Sequence, residues 1–317
     1  MRNECDLAEA QGQIGGIRRQ KTLPIISAEV TLPDKRRSMV LSNRKLQISN
    51  GYLFEFDQLS RILHILAARL SEKRIYRKDI QESTGLSNRQ IESVVSIGCA
   101  LGLIKPGVQI LTATGTLIVE HDIFLEQTGT LQWCHYQGAG NSRNLVWYEI
   151  FNRILPAELA HTESGWLANL RNSLSGQYTD RTIGKHLQQE VRFVINAYLN
   201  RNFKKLEILQ QHSDGRLYRR RHLHVEPLIL CAMIYDYAAG RGESLLQVRE
   251  IAEAEGSPSL LFGFDETTFR QAIELLHENG WLRYESTHNL DQIRLKEDFS
   301  ALAFLKRYYE GTVEKVK

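Results

Sequence analysis

Proline is scarce in this sequence, with six residues in 317, and no apolar run approaches the length of a membrane span. The longest, Leu228 to Tyr235, falls far short of the about 20 residues that a bilayer requires. The four cysteines, Cys5, Cys99, Cys134 and Cys231, never form a C-x-x-C pair. Such scattered cysteines are expected as free thiols in a reducing compartment, outside any disulfide framework or zinc site. The first residues carry Glu4, Asp6 and Glu9 around no apolar centre, so they do not read as a secretory signal. A cytoplasmic protein is the expectation. Also missing are a P-loop, a glycine-rich dinucleotide loop, an H-E-x-x-H helix and a nucleophile elbow, which removes the chemistries those motifs carry. No short-period repeat points to a solenoid. Charge of one sign is not in excess either: 40 Lys and Arg face 37 Asp and Glu, for a net +3. Any electrostatic argument must therefore rest on local clusters.

What is present first takes shape after residue 51. Residues 1–51 show no helical periodicity but hold basic clusters at Arg18, Arg19 and Lys21, at Lys35, Arg36 and Arg37, and at Arg44 and Lys45. They read as a basic arm, either a solvated tail or a segment that touches phosphates. From Asp57, an expected helix cap, Leu59, Ile62, Leu63, Leu66 and Leu70 recur at helical spacing. A short helix from Arg77 to Ser83 follows, then a Thr84-Gly85-Leu86 turn in which Gly85 can take positive φ. Ser87 and Gln90 form a capping-box pattern for a third helix with Ile91, Val94, Val95 and Gly98 inward. Leu103-Ile104, the Pro106-Gly107 turn and Val108 to Leu111 suggest a hairpin. This order over 52–121 is that of a winged helix-turn-helix.

The region 122–224 reads as a helical, aromatic-rich middle domain. It includes a helical stretch Asp122 to Gln127, an aromatic run Trp133 to Tyr136, and a long amphipathic helix through Ile183, Leu187, Val191, Val194, Ile195 and Tyr198. Asp214-Gly215 marks a hairpin with basic flanks. Residues 225–317 repeat the first pattern. Helices are expected over Pro227 to Tyr237 and Leu245 to Glu255, a third begins at Asp265, and a hairpin surrounds Thr287-His288-Asn289. The predicted class is mainly α with small β-hairpins: two winged helix-turn-helix modules joined by the helical middle region.

The chemistry follows from this placement. A recognition helix offers base edges its first turn and outer face, here Asn88, Arg89, Glu92, Ser93 and Ser96. Arg89 suits guanine and Asn88 adenine, while Tyr76, Arg77 and Lys78 stand where phosphates pass. A docking or dimerisation module is the competing reading of the same fold. The second module, with Glu266, Glu274 and Glu278 against Arg270, is a poor partner for a polyanion and better suited to protein contact. Arg216, Arg219, Arg220, Arg221 and the neighbouring Tyr218, His222 and His224 form either a backbone-tracking strand or an edge protected by charge. For catalysis, Asp122 and Glu126 are spaced to share Mg2+ or Mn2+, with His121 and His135 near in sequence to move protons. Helix-end decoration is the alternative for the two acids.

Three segments together resemble one bacterial family: Asp122-Ile123-Phe124-Leu125-Glu126, Gly129 through Tyr136, and Trp147-Tyr148-Glu149-Ile150-Phe151-Asn152. Ser257-Pro258, Phe262 to Glu266 and the hairpin from Gly280 to Leu295 are similar to it as well. It is the domain-of-unknown-function family four thousand and seven, and the resemblance spans about Tyr52 to Tyr309. The resemblance implies a component of DNA phosphorothioation in antiphage defence, of the kind that nicks one DNA strand so that sulfur can enter the backbone. It implies double-stranded DNA as a partner, together with a cysteine desulfurase, an ATP-pyrophosphatase-like enzyme and an ATPase. A homodimer is also compatible. It supplies no catalytic residues, so Asp122, Glu126 and His135 remain candidates from chemistry alone. A non-catalytic DNA-binding adaptor or transcription regulator is the alternative function.

Overall fold

The computed structural model describes residues 44–316 except 53–54, 158–160, 221–223 and 288–289. Helices dominate. The first three are α1 (Phe56–Ala67), α2 (Arg77–Thr84) and α3 (Asn88–Ala100). A single antiparallel bridge, Ile104 to Leu111, closes the Pro106-Gly107 turn after α3, and α4 (Ala113–Asp122) follows directly. The polypeptide then enters α5 (Thr128–Gly140), α6 (Leu145–Glu149), a π-helical turn over Ile150–Ile154 and the short α7 (Leu155–Ala157). The two longer helices α8 (Glu163–Leu174) and α9 (Asp180–Leu199) lead through a 3-10 turn, Asn202–Leu206, to β1 (Leu209–Gln211) and β2 (Leu217–Arg219). Last come α10 (Pro227–Arg241), β3 (Leu245–Gln247), α11 (Val248–Glu253), α12 (Pro258–Phe262), α13 (Glu266–Glu278), β4 (Arg283–Thr287), β5 (Leu290–Arg294) and α14 (Ala301–Val316).

Local signals explain most of these boundaries. Ser87 accepts the Gln90 N–H, and Gln90 returns a side-chain oxygen to the Ser87 N–H at 2.9 Å, a reciprocal cap that fixes the start of α3. Gly85 ends α2 with φ +71°, which lets the chain turn sharply into α3. Asp265 caps α13 by accepting the Thr268 N–H at 2.7 Å. The entry to α1 differs from expectation: Glu55 occupies the cap position, and Asp57 lies inside the first turn. Leu70 is 57% exposed because α1 has already ended at Ala67, before the apolar periodicity reaches it.

Leu245 to Gln247 is a strand, not the start of a helix. These residues pair with Gln292 to Arg294 of β5, completing a three-stranded sheet of order β3-β5-β4. Three residues of ladder outweigh the helical pattern there because β5 otherwise has an open edge. One hydrophobic core runs from Leu46 to Tyr309 and draws on helices from every part of the described chain. α5 lies at its centre, with Gly129 through Tyr136 buried without interruption, so this helix has no solvent face.

Close packing makes α4 depend on one glycine. A Cβ on Gly115 would stand 2.1 Å from the Leu103 carbonyl oxygen, a backbone atom that cannot rotate away. We expect Gly115→Ala to destabilise the protein by about 1–3 kcal/mol or more. The check is urea unfolding, in which the midpoint should fall while the slope is kept. An unchanged midpoint would show that α4 is free to shift.

Candidate nucleic-acid interface

The N-terminus of α2, the outer face of α3, the turn after α3 and the segment 45–50 enclose a surface groove of about 690 Å³. Arg74, Tyr76, Arg77 and Lys78 form one wall. Glu92, Val95, Ser96 and Cys99 of α3 form another, one helical face read at intervals of three and four. Lys45, Gln47 and Asn50 close the inner side, and Pro106 and Gly107 the outer. Four cations, Lys45, Arg74, Arg77 and Lys78, line this groove against one carboxylate, Glu92.

The cations are held loosely enough to be recruited. Arg77 approaches Glu92 at 3.5 Å with both side chains about half exposed (50% and 51%), and Lys78 approaches Glu82 at 3.7 Å from an exposed position. Exposed pairs of this kind contribute about 0–1 kcal/mol, so a phosphate can displace them. Arg74 sits 5.5 Å from the Tyr76 ring centroid. Burial pushes the Cys99 thiol up to about 11, with Lys45 opposing, so it stays protonated at neutral pH.

Of the residues expected to meet DNA, Tyr76, Arg77 and Lys78 come together in this groove. Asn88 and Arg89 are exposed on the first turn of α3, a turn or less from Glu92. Ser93 is not on that face. It is completely buried, and its hydroxyl donates to the Ser49 carbonyl at 2.5 Å. Arg44, assigned to the basic arm, pairs with the buried Glu149 at 3.3 Å. The arm before residue 44 lies outside the described residues, as do Arg221 and His222.

The basic hairpin does not form one free cationic face. Arg219 donates to the Leu260 carbonyl at 2.5 Å and Arg220 is bonded to Glu207, whereas Arg216 approaches Asp214 at 3.6 Å in an exposed pair as loose as those of the groove. Tyr218 stacks on His212 with ring centroids 4.3 Å apart. Arg270 on α13 is likewise engaged, by Glu266, Asp291 and Tyr284.

Asp122, Glu126 and His135 meet three different surroundings in the fold. Asp122 ends α4 as a buried residue, and its two oxygens accept the Glu126 and Gln127 N–H groups at 3.0 and 2.9 Å. Its carboxylate thus holds the turn before α5, in which Leu125 takes φ +58°. Glu126 is exposed beyond that turn, so the two acids do not share a helix. Among the described residues no group of three or more His, Cys, Asp or Glu is arranged to hold a metal ion.

His135 is entirely buried in a ring of aromatic edges from Phe151, Tyr198, Phe203 and Phe262. Its Nε2 contacts the Leu261 carbonyl at 3.3 Å, and its Nδ1 contacts the Tyr198 hydroxyl at 2.5 Å. A carbonyl only accepts, so Nε2 carries the proton, and Tyr198 donates to Nδ1 while accepting from the Trp147 indole N–H at 2.9 Å. Every polar atom of the neutral form is then satisfied. Burial, with Arg219 adding to it, pulls the imidazole down to about 3 despite the Leu261 carbonyl.

Sequence reasoning missed a second charged node. Glu149, just ahead of the π-helical turn, is buried and accepts from Arg153 at 2.9 Å and from Arg44 at 3.3 Å. Arg153 reaches on to Glu255 at 2.6 Å, and the Tyr148 hydroxyl also donates to Glu255 at 2.7 Å. Burial alone would raise the Glu255 carboxyl, but Arg153 and Tyr148 outweigh it and hold it below the usual range. The spacing of Glu149 and Arg153, one helical turn apart, was the available signal.

The groove thus belongs to a mainly helical fold with two small antiparallel sheets and a cationic cleft beside its first three helices. The chain belongs to the DUF4007 family, described as a protein of unknown function, whose model matches residues 99–309. The groove residues from Lys45 to Ser96 precede that match. Two solved structures share the fold. A crystal structure of magnesium ion-bound SspB superposes with a TM-score of 0.71 at 14% identity, covering 86% of this chain and 90% of that one. A second SspB crystal structure gives 0.65 at 13% identity, covering 84% and 87%. No curated protein matches the chain.

The His135 node makes stability depend on pH. Its folded pKa lies below the unfolded value of about 6.5, so its contribution is full above pH 6.5 and is lost as pH falls toward 3. Between pH 7 and pH 5 that loss is about 2 kcal/mol. In His135→Gln, stability measured by urea unfolding should change less over this interval than in the wild type. Parallel pH profiles would mean that the imidazole takes up a proton inside the fold.

Proposed function

We propose that this protein is a DNA-binding component of a phosphorothioation system, equivalent in role to the B component of the Ssp single-strand system. Its first three helices dock on duplex DNA as a winged helix-turn-helix. The cationic groove carries this reading: Lys45, Arg74, Arg77 and Lys78 converge beside the exposed first turn of α3, where Asn88 and Arg89 stand. Phosphate neutralisation by such a cluster supplies affinity, and the two side chains on α3 supply contacts to base edges. The family and the SspB-like fold support the assignment to phosphorothioation, and thereby to antiphage defence. The sheet order β3-β5-β4 behind α13 supports a second winged helix, with its cations already engaged and thus suited to protein partners. Those partners, on this reading, are the desulfurase, pyrophosphatase-like and ATPase components.

Nicking of one strand is the finer part of the proposal, supported by the resemblance to nicking components of such systems. The side chains of Asp122 and His135 are engaged within the fold while that of Glu126 is exposed, which favours the second reading, a non-catalytic adaptor. Relaxation of supercoiled plasmid by the purified protein with Mg2+ or Mn2+ decides between them. A plasmid that stays supercoiled, even with the partner proteins added, leaves the adaptor.

Binding has its own test. Arg77→Ala with Lys78→Ala should weaken duplex binding similarly for all sequences and lower the slope of log affinity against log salt by about 2. Glu92→Gln should strengthen binding, because it removes the groove's one lining carboxylate and releases Arg77. Fluorescence anisotropy of a labelled duplex across a salt series measures both. Affinity indifferent to all three substitutions refutes the groove as the interface.

A further inference from the structure

We infer that the groove also takes an unpaired stretch of DNA, with Tyr76 as the platform on which one base stacks. This rests on the DNA-binding reading above and adds to it the form of DNA that the groove prefers. Tyr76 is a large aromatic side chain left 62% exposed, an unusual placement for a residue that does not pack into the core. It lies between cations in sequence and in space, with Arg74 on one side and Arg77 and Lys78 on the other, all lining the same groove. Arg74 already stands against the ring at 5.5 Å from its centroid. A guanidinium and an aromatic ring at this separation offer two flat surfaces to a base.

The Tyr76 hydroxyl can reach a duplex phosphate, but the flat face of the ring finds no partner on a duplex, whose bases are stacked on one another and present only their edges. An unpaired strand differs, since each base has a free face and its phosphates stay within reach of the surrounding cations. Gln47 and Asn50, also on the groove walls, add amide groups able to bond base edges. The ring is not needed for folding. The start of α2 is capped through the backbone, the Tyr76 N–H donating to the Asp79 carboxylate at 3.0 Å, and this bond survives loss of the side chain.

The test compares a single-stranded oligonucleotide, containing 2-aminopurine as a stacking reporter, with the same sequence as a duplex. In the wild type the reporter should be quenched on the single strand. Tyr76→Ala should weaken single-strand binding about tenfold and abolish the quenching, a clearly larger loss than the one it causes on the duplex. Tyr76→Phe should retain both binding and quenching. Equal losses on the two forms, or failure of Tyr76→Phe to retain them, overturn the stacking role. A wild-type protein that holds duplex but no single strand overturns this inference alone. One that holds neither at low salt overturns the DNA-binding reading as well.

Discussion

The fold depends on a neutral imidazole. α5 has no solvent face, so the polar side chains it carries must be answered inside the protein. His135 is the most demanding of them, and it is met by groups from three other parts of the chain: Trp147 of α6, Tyr198 of α9 and Leu261 of α12. Trp147 acts through Tyr198, which has one proton to give and uses it on His135. The three-way arrangement fixes the direction of every hydrogen bond and so the relative placement of the elements that supply them. In a protonated ring Nδ1–H would also need an acceptor, so the Tyr198 oxygen would have to accept from both His135 and Trp147 and its own proton would lose the Nδ1 acceptor. The residue that the sequence offers as a proton shuttle is thus buried, with burial pulling its pKa down.

A similar economy governs the cations. A net charge of +3 says little about where a polyanion would settle, because many arginines are engaged internally. Arg44 and Arg153 converge on Glu149, Arg219 bonds a backbone carbonyl, and Arg270 serves two acids. These are structural uses, in which a guanidinium satisfies several acceptors at a fixed geometry. The groove beside α2 differs in kind. Its ion pairs are exposed and long, so its charge stays available at the surface. Exposure and partner, more than the count of basic residues in a segment, separate an interface from a structural cation.

Much of the helical framework was legible because it rests on local rules. The Ser87-Gln90 box, the Gly85 turn and the Asp265 cap each act within four residues, and each stands where the sequence places it. Failures came where a distant segment decides. Ser93 looks outward by helical period alone, yet segment 45–50 covers that face of α3. Leu245 to Gln247 fit a helical pattern until β5, almost fifty residues on, supplies a ladder. Asp122 and Glu126 are correctly spaced for one helical face, but the helix stops at Asp122. Asp122 stops it by accepting the next free N–H groups, a use of carboxylate that spacing cannot distinguish from metal ligation. The groove was half legible: Tyr76, Arg77 and Lys78 are contiguous in sequence, whereas Lys45 arrives from a segment that carries no periodicity.

The segment carrying Lys45 links the interface back to the core. Its Ser49 N–H and hydroxyl both donate to Glu190 of α9, at 2.9 and 2.7 Å, while its carbonyl accepts from Ser93 of α3. Lys45 itself is anchored at the Arg143 carbonyl, 2.8 Å from its backbone N–H. Burial pushes the Glu190 carboxyl up, and the N–H and hydroxyl donors of Ser49 oppose that rise. The inner wall of the groove is therefore bonded on both sides, to the long helix α9 and to α3. The backbone that carries Lys45 is thereby fixed, while the cationic side chains of the groove stay exposed above it.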